Sequence, residues 1–403
     1  MTDWIRLFAG LALLALAATT ALPMPNRTLW GASVAATEFG YIIAILALLP
    51  AIPTKSRTRP GRIGAMFSLA AVPLLILPAY RAHEEGDTLP AAFDARFGAE
   101  RRVRIPAAQD PRRAPLVWSE LLTSVDLAPV RYEQHVFAER ENQKLSLDLF
   151  RPAYVHNPIP AVIVVHGAGE WKPNDSMDYR ALNAYLASRD YIVAAINYRN
   201  TTRSRFPAQR DDVYAAIAYL KTHATELGVD PNRLVLLGRS EGGQLALLAA
   251  YTSGEPSIRG VISLYGPTDL RLAYDHPTSS WGVDTRNRLE SFMGGSPARA
   301  EQAYFDASPI NFVSANSPPT LLIHGMLDEQ VPAEQSARLD DKLQQAGVKH
   351  LFVKLPWATH ACDTSFVGPC GQITTYAVER FLDAVTIPPP DPLPAAHRKL
   401  ASR

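Results

Sequence analysis

The chain has 403 residues, enough for one large domain and a further segment. Its 40 Lys and Arg stand against 39 Asp and Glu, a formal charge of +1 that gives no basis for a nucleic-acid partner.

Three apolar runs open the chain: Ile5 to Pro23, uncharged after Arg6; Leu29 to Pro53, apolar apart from Glu38; and Ile63 to Tyr80. Runs of ~18 or more apolar residues are long enough to cross a bilayer as helices. Residues 1–80 are therefore expected to form a membrane region of three transmembrane helices. Glu38 is the unusual residue, because an ionisable group there is costly unless it faces another helix or the interface. The second link carries Lys55, Arg57, Arg59 and Arg62, whereas the first carries only Arg27. Basic links stay in the cytoplasm, so the chain is expected to start inside and to deliver its downstream residues to the extracytoplasmic side. Ala15-Leu-Ala17 also fits a signal-peptidase site; cleavage there leaves two spans and the same destination. Residues 81–132 are charged and contain basic, proline-bearing stretches, and read as a lead-in segment. Within it, Leu116 to Leu122 reads as a short amphipathic helix, packed on the domain beyond it or lying on the membrane.

From residue 133 strands and helices alternate. Strands are expected near 145–150, 161–165, 191–197, 233–237, 259–264, 319–324 and 350–355. Helical patterns fall near 178–188, 207–227, 240–252, 333–346 and 371–385. Such alternation predicts right-handed crossovers and a mainly parallel, doubly wound sheet over residues 133–386. Residues 387–403 form a proline-rich tail with no assigned role.

The loop after the 161–165 strand, His166-Gly167-Ala168-Gly169, is made of small residues, where backbone N–H groups can approach a developing oxyanion. Gly167 and Ala168 are the candidate donors, and Trp171 just beyond is a candidate for lining the pocket. Residues 234–243 run from an apolar strand into Gly238-x-Ser240-x-Gly242 and then a helix-forming stretch. A serine on such a tight strand-to-helix turn exposes its hydroxyl as a nucleophile, and the N–H of Glu241 is the second candidate oxyanion donor. Thr268 to Phe312 is aromatic and irregular, and reads as a cap over the site or a surface excursion. Asp328 comes after the strand ending at Gly325, and His360 after the strand ending near Leu355. The order Ser240, Asp328, His360 is that of nucleophile, acid and base in α/β-hydrolases. His324 reads as a packed core histidine, Glu329 as pointing elsewhere on its loop, and Asp363 as too near His360 in sequence to orient it.

The two cysteines, Cys362 and Cys370, lie just after His360. In an oxidising compartment a bridge between them would tie down the loop carrying the base; two unpaired thiols are the competing reading. They lack companion ligands at metal-binding spacing, so no metal site is expected.

Leu145-Ser-Leu-Asp-Leu-Phe-Arg-Pro152, His166-Gly-Ala-Gly169, Asn197-Tyr-Arg199, Gly238-Arg-Ser-Glu-Gly-Gly243, Tyr265-Gly-Pro267, Phe292-Met-Gly-Gly295 and His324-Gly-Met-Leu-Asp-Glu-Gln-Val-Pro332 resemble, in order, the α/β-hydrolase superfamily. The resemblance is greatest to bacterial esterases related to hormone-sensitive lipase and to the feruloyl-esterase-like group. It implies an α/β-hydrolase fold and hydrolysis of carboxylic esters, lipid or small-molecule, with no metal or organic cofactor. His166-Gly-Ala-Gly169 replaces a run of three glycines. Arg239 and Glu241 stand where many relatives carry Asp and Ala, positions from which either could reshape the pocket mouth. Taken together, these features predict a multi-pass membrane serine esterase. A peptidase or acyltransferase with the same triad, and a non-catalytic hydrolase-like ectodomain, are the alternatives.

Overall fold

Runs such as Ala161–Val165 and Leu234–Leu237 are buried throughout, the pattern of central parallel strands covered on both faces. The computed structural model describes residues 2–24, 26–52, 58–98, 114–123, 125, 127–155, 158–168, 179–201, 203–278 and 284–387. Within these lies one eight-stranded sheet: β1 Val130–Arg140, β2 Gln143–Pro152, β3 Ile159–Val165, β4 Ile192–Ile196, β5 Val229–Arg239, β6 Ile258–Leu264, β7 Thr320–Gly325 and β8 His350–Leu355. The spatial order is β1-β2-β4-β3-β5-β6-β7-β8. β1 and β2 are antiparallel to their neighbours, and the rest of the sheet is parallel. β1 is absent from the sequence expectation because an edge strand with one neighbour exposes polar residues on both faces, so its alternation is blurred.

Three helices precede the sheet, α1 Thr2–Ala18, α2 Arg27–Ala47 and α3 Arg59–Phe97. Interleaved with the strands are α4 Arg180–Ala187, α5 Ala208–Thr222, α6 Ala224–Leu227 and α7 Glu241–Thr252. The rest are α8 Leu270–Asp275, α9 Thr285–Met293, α10 Glu301–Asp306, α11 Glu334–Gln345 and α12 Pro369–Thr386. Alternate strand residues point to opposite faces, giving two core layers. One joins Val162, Val164, Val235 and Leu237 to α4, α12 and the end of α3; the other joins Ile163, Val165 and Leu236 to α5, α7 and α11.

Two of the three leading helices, over Thr28–Ala51 and Arg59–Phe97, are long and apolar enough to cross a membrane. The first expected span is a helix of 17 residues. α1 lies alongside α3, so close at Gly10 that a Cβ there would strike the Gly64 carbonyl. Small residues allow such helix contact in an apolar bundle.

The boundary expected at residue 80 falls inside a helix. α3 continues to Phe97 and sets Ala82, Leu89, Phe93 and Phe97 into the main core, where Phe97 meets Phe381 edge-on with ring centroids 5.4 Å apart. These apolar positions recur at helical spacing beneath the charges that suggest a stalk. Leu116 and Leu121 are also buried, the one before and the other at the end of a 3₁₀ turn over Trp118–Leu121, in place of the expected amphipathic helix. The Gln372 side chain fixes that segment by accepting from Val117 N at 2.8 Å.

Candidate active site

At the carboxyl end of β5 the chain turns sharply at Ser240, whose φ of 53° and ψ of −125° are rare for a residue with a side chain. Strain of this kind costs about 1–3 kcal/mol and persists where the surroundings over-determine it. Ser240 N donates to Leu264 O at 2.9 Å, fixing the turn to β6. The two motif glycines are steric requirements. A Cβ on Gly238 would strike the Gly242 carbonyl, and one on Gly242 would strike the carbonyls of Val165 and His166.

Ser240, His360 and Asp328 are brought together. Asp328 Oδ2 lies 2.7 Å from His360 Nδ1, and His360 Nε2 lies 3.1 Å from Ser240 Oγ. Because Nδ1 faces a carboxylate it carries the proton, leaving Nε2 to accept from the serine hydroxyl. Asp328 Oδ1 accepts from the N–H groups of Gln330 and Val331, both at 2.9 Å. Burial opposes the charge on Asp328, but the neighbouring His360 and hydrogen bonds from His324 and His360 prevail, holding the carboxyl well below the usual carboxylate range.

His324 has a role that its position at a strand end did not reveal. Its Nε2 is 2.8 Å from Val331 O and 3.3 Å from Asp328 Oδ2, both acceptors, so Nε2 bears the proton. Nδ1 then accepts from Ser336 Oγ at 2.7 Å. A second histidine thus braces Asp328.

Gly167 lies against the elbow, where a Cβ would sit 3.3 Å from both Ser240 Cβ and the Arg239 carbonyl. Glu241 opens α7, whose first N–H groups lack partners within the helix. Around them, the His166 ring stacks on Tyr198 at 4.4 Å between centroids, and the Tyr198 hydroxyl donates to His166 O at 3.1 Å. Gly169 and Trp171 lie outside the described residues.

Beside Ser240 is a cavity of about 150 Å³, lined by Glu241, Leu270, Arg288, Leu289, Phe292 and Val331 among others. α8 and α9 wall it, and with α10 they make much of the irregular Thr268–Phe312 stretch a cap with its own small core of Leu270, Phe292, Met293 and Tyr304. Glu241 faces this space, with Arg288 Nη2 at 3.4 Å and the Tyr198 hydroxyl at 3.2 Å. Arg239 does not reach the pocket mouth. It is 1% exposed, its Nε donates to Asp363 Oδ2 at 2.7 Å and its guanidinium stacks 3.8 Å over Tyr179. The Tyr265 hydroxyl also donates to Asp363, at 2.6 Å, and its ring meets His360 edge-on.

Cys362 and Cys370 are joined by a disulfide across the loop after His360. For so short a loop the chain-entropy contribution is about 2–3 kcal/mol. Replacing both by serine is expected to lower the thermal unfolding midpoint by roughly 5 °C. Scanning calorimetry of the variant against the oxidised protein checks this, and equal midpoints would refute it.

The Glu329 carboxyl is pushed up to about 7, chiefly by burial, with the charge of Asp328 adding to it. The folded state then holds a proton that the unfolded chain releases near the ordinary glutamate value. The stability this provides is complete below about pH 4.3 and is lost as pH rises through 7. Glu329→Gln should gain in unfolding midpoint relative to wild type between pH 5 and 8; parallel curves would contradict the assignment.

The BD-FAE family model matches residues 147–343. A probable carboxylic ester hydrolase, LipM, of Mycobacterium tuberculosis is 30% identical over 385 residues, covering 88% of this chain and 86% of its own. Esterase LipC of the same organism is 29% identical over 241 residues, covering 57% of this chain and 59% of its own. Among solved structures, a truncated carbohydrate esterase from gut microbiota superposes with a TM-score of 0.52 at 22% identity, over 64% of this chain and 97% of its own. A bacterial heroin esterase does so at 0.55 and 19%, over 66% and 88%. At these identities the structural likeness establishes the fold. The likeness to LipM extends beyond the hydrolase unit into the flanking segments. With the sheet order and these relatives taken together, the chain has the α/β-hydrolase fold and belongs to the family of carboxylic ester hydrolases that includes LipM, and it is a carboxylic ester hydrolase.

Proposed function

We propose that this enzyme is a membrane-tethered serine esterase, with Ser240 as nucleophile, His360 as base and Asp328 as the orienting carboxylate. The observation that carries the reading is the unbroken line of atoms from Asp328 Oδ2 through the His360 ring to Ser240 Oγ, with steps of 2.7 and 3.1 Å. Both are within reach for proton transfer. Ser240 Oγ attacks the ester carbonyl as His360 Nε2 takes its proton. The resulting oxyanion is held by the N–H groups of Gly167, Ala168 and Glu241, and Asp328 stabilises the imidazolium. His360 then protonates the departing alcohol, leaving an acyl group on Ser240. Water, deprotonated by the same imidazole, attacks that ester and releases the acid. The chain's own groups and water handle every proton in the cycle.

The catalytic unit of this reading is the sheet with its flanking helices and the end of α3 packed into its core, and the tether is the bundle of α1, α2 and the first part of α3. Support for the tether comes from large apolar side chains left exposed on all three helices, among them Phe8, Leu11, Ile45, Leu46, Met66 and Leu69. Exposed apolar surface on this scale is a feature of lipid or protein contact. The basic link 55–62 then faces the cytoplasm, and the catalytic unit lies on the other side.

A fluorophosphonate probe tests the chemistry. Peptide mapping of the full chain should find the probe's mass on Ser240, and His360→Ala should abolish the adduct. Labelling elsewhere, or none with folded protein, would reject the triad.

A further inference from the structure

The backbone around the base carries a strain that something must hold. Ala361, next to His360, sits in the left-handed region with φ 55° and ψ 33°. For a non-glycine residue that conformation survives where neighbours over-determine it. Two restraints come from nearby sequence or from the sheet: the Cys362–Cys370 bridge and the Arg239–Asp363 ion pair. The others come from α2, about 330 residues away.

The Trp30 indole Nε1–H donates to the carbonyl oxygen of His360 itself, at 2.9 Å. Two turns further along α2, Glu38 Oε2 accepts from Cys370 N at 3.2 Å, in the first turn of α12, where N–H groups lack helical partners. Glu38 is fully buried, and Gly368 passes so close that a Cβ there would strike its carboxyl. Another turn on, the Tyr41 hydroxyl donates to Leu121 O at 2.6 Å. From Trp30 to Tyr41 these contacts extend about 16 Å along one side of the helix. The acidic residue that looks anomalous in an apolar run therefore has its partner in the hydrolase unit.

We propose that α2 is a positioning element of the catalytic centre, with Trp30 and Glu38 holding the two ends of the segment from His360 to Cys370 so that the His360 ring meets Ser240. This rests on the triad reading above. Neither residue touches substrate; both act through the backbone of the base and of the helix after it. Hydrolysis then depends on the N-terminal bundle as well as on the sheet and its cap.

The test uses the full chain in detergent micelles, with active sites counted by fluorophosphonate titration. Trp30→Phe keeps the ring and loses the donor. It should lower both kcat per titrated site and the rate of Ser240 labelling by roughly tenfold, with KM unchanged, because small misplacement of a base costs rate before binding. Glu38→Leu should behave likewise. Glu38→Gln, which keeps a carbonyl acceptor for the Cys370 N–H, should recover most of the rate. Any loss of folded protein lowers the titre but not the rate per site, so misfolding cannot imitate the effect. Wild-type rates per site in Trp30→Phe and Glu38→Leu would overturn the proposal while leaving the triad intact. Absence of labelling in wild type would instead remove the triad reading on which it rests.

Discussion

Ser240→Ala is expected to lower kcat by about 10⁴–10⁶ on p-nitrophenyl esters, with little change in KM. The side chain fills no core site, so the variant should fold as wild type does. In the proposed mechanism, what it loses is the atom that forms the acyl intermediate. Residual turnover from the oxyanion donors and from binding remains, which is why the loss is finite. The wild-type profile across acetate to palmitate should peak at short or medium acyl chains. The cavity beside Ser240 is about 150 Å³ and is lined by Leu289 and Phe292 of the cap. Cavities of about that volume accept a benzene-sized guest. Retention of wild-type rates in Ser240→Ala would dismiss the serine mechanism altogether.

Asp328→Asn should cost about 10⁴ in kcat, with KM close to wild type. Hydrogen-bond donors decide the effect. The Oδ1 position is fixed by two N–H groups, those of Gln330 and Val331, and these demand an acceptor. An asparagine must therefore place its carbonyl oxygen there and its NH₂ toward His360 Nδ1. That turns Nδ1 into an acceptor and moves the ring proton to Nε2, where it opposes the Ser240 hydroxyl. The same NH₂ would also face the protonated Nε2 of His324, 3.3 Å from the oxygen it replaces. Steady-state kinetics together with the rate of fluorophosphonate labelling measure the loss. A fall of less than tenfold would mean that Asp328 does not set the tautomer.

Much of this arrangement was legible because α/β proteins concentrate chemistry at strand ends. Gly238 and Gly242 had to be glycine, and the apolar runs at 161–165 and 234–237 had to be buried strands. The order of serine, acid and histidine came from there. The hidden parts depend on contacts between distant residues. His324 looks like any buried histidine until Asp328 folds back beside it. Arg239, next to Ser240, suggests a pocket residue, yet it is buried against Asp363. Glu38 stands out in the sequence as a cost, but nothing local says that Cys370 N offsets it. The continuation of α3 to Phe97 was masked by the charges of Arg81, Glu84, Glu85 and Asp87 on its exposed faces. Its buried residues recur every three or four positions beneath them.

α3 is a single helix of 39 residues, about 58 Å at the standard rise, with Pro73, Pro78 and Pro90 within it. One end is packed in the bundle and the other in the hydrolase core, so it is a strut and not a leash. A leashed enzyme samples a volume set by its tether, and the effective concentration of its targets falls as that volume grows. A strut fixes one height and one aspect. With the bundle in a bilayer, the mouth of the site would sweep a single plane as the protein diffuses laterally. Turnover would then depend on the surface density of esters in that plane, and diluting a lipid substrate within the membrane would slow it even at constant bulk amount.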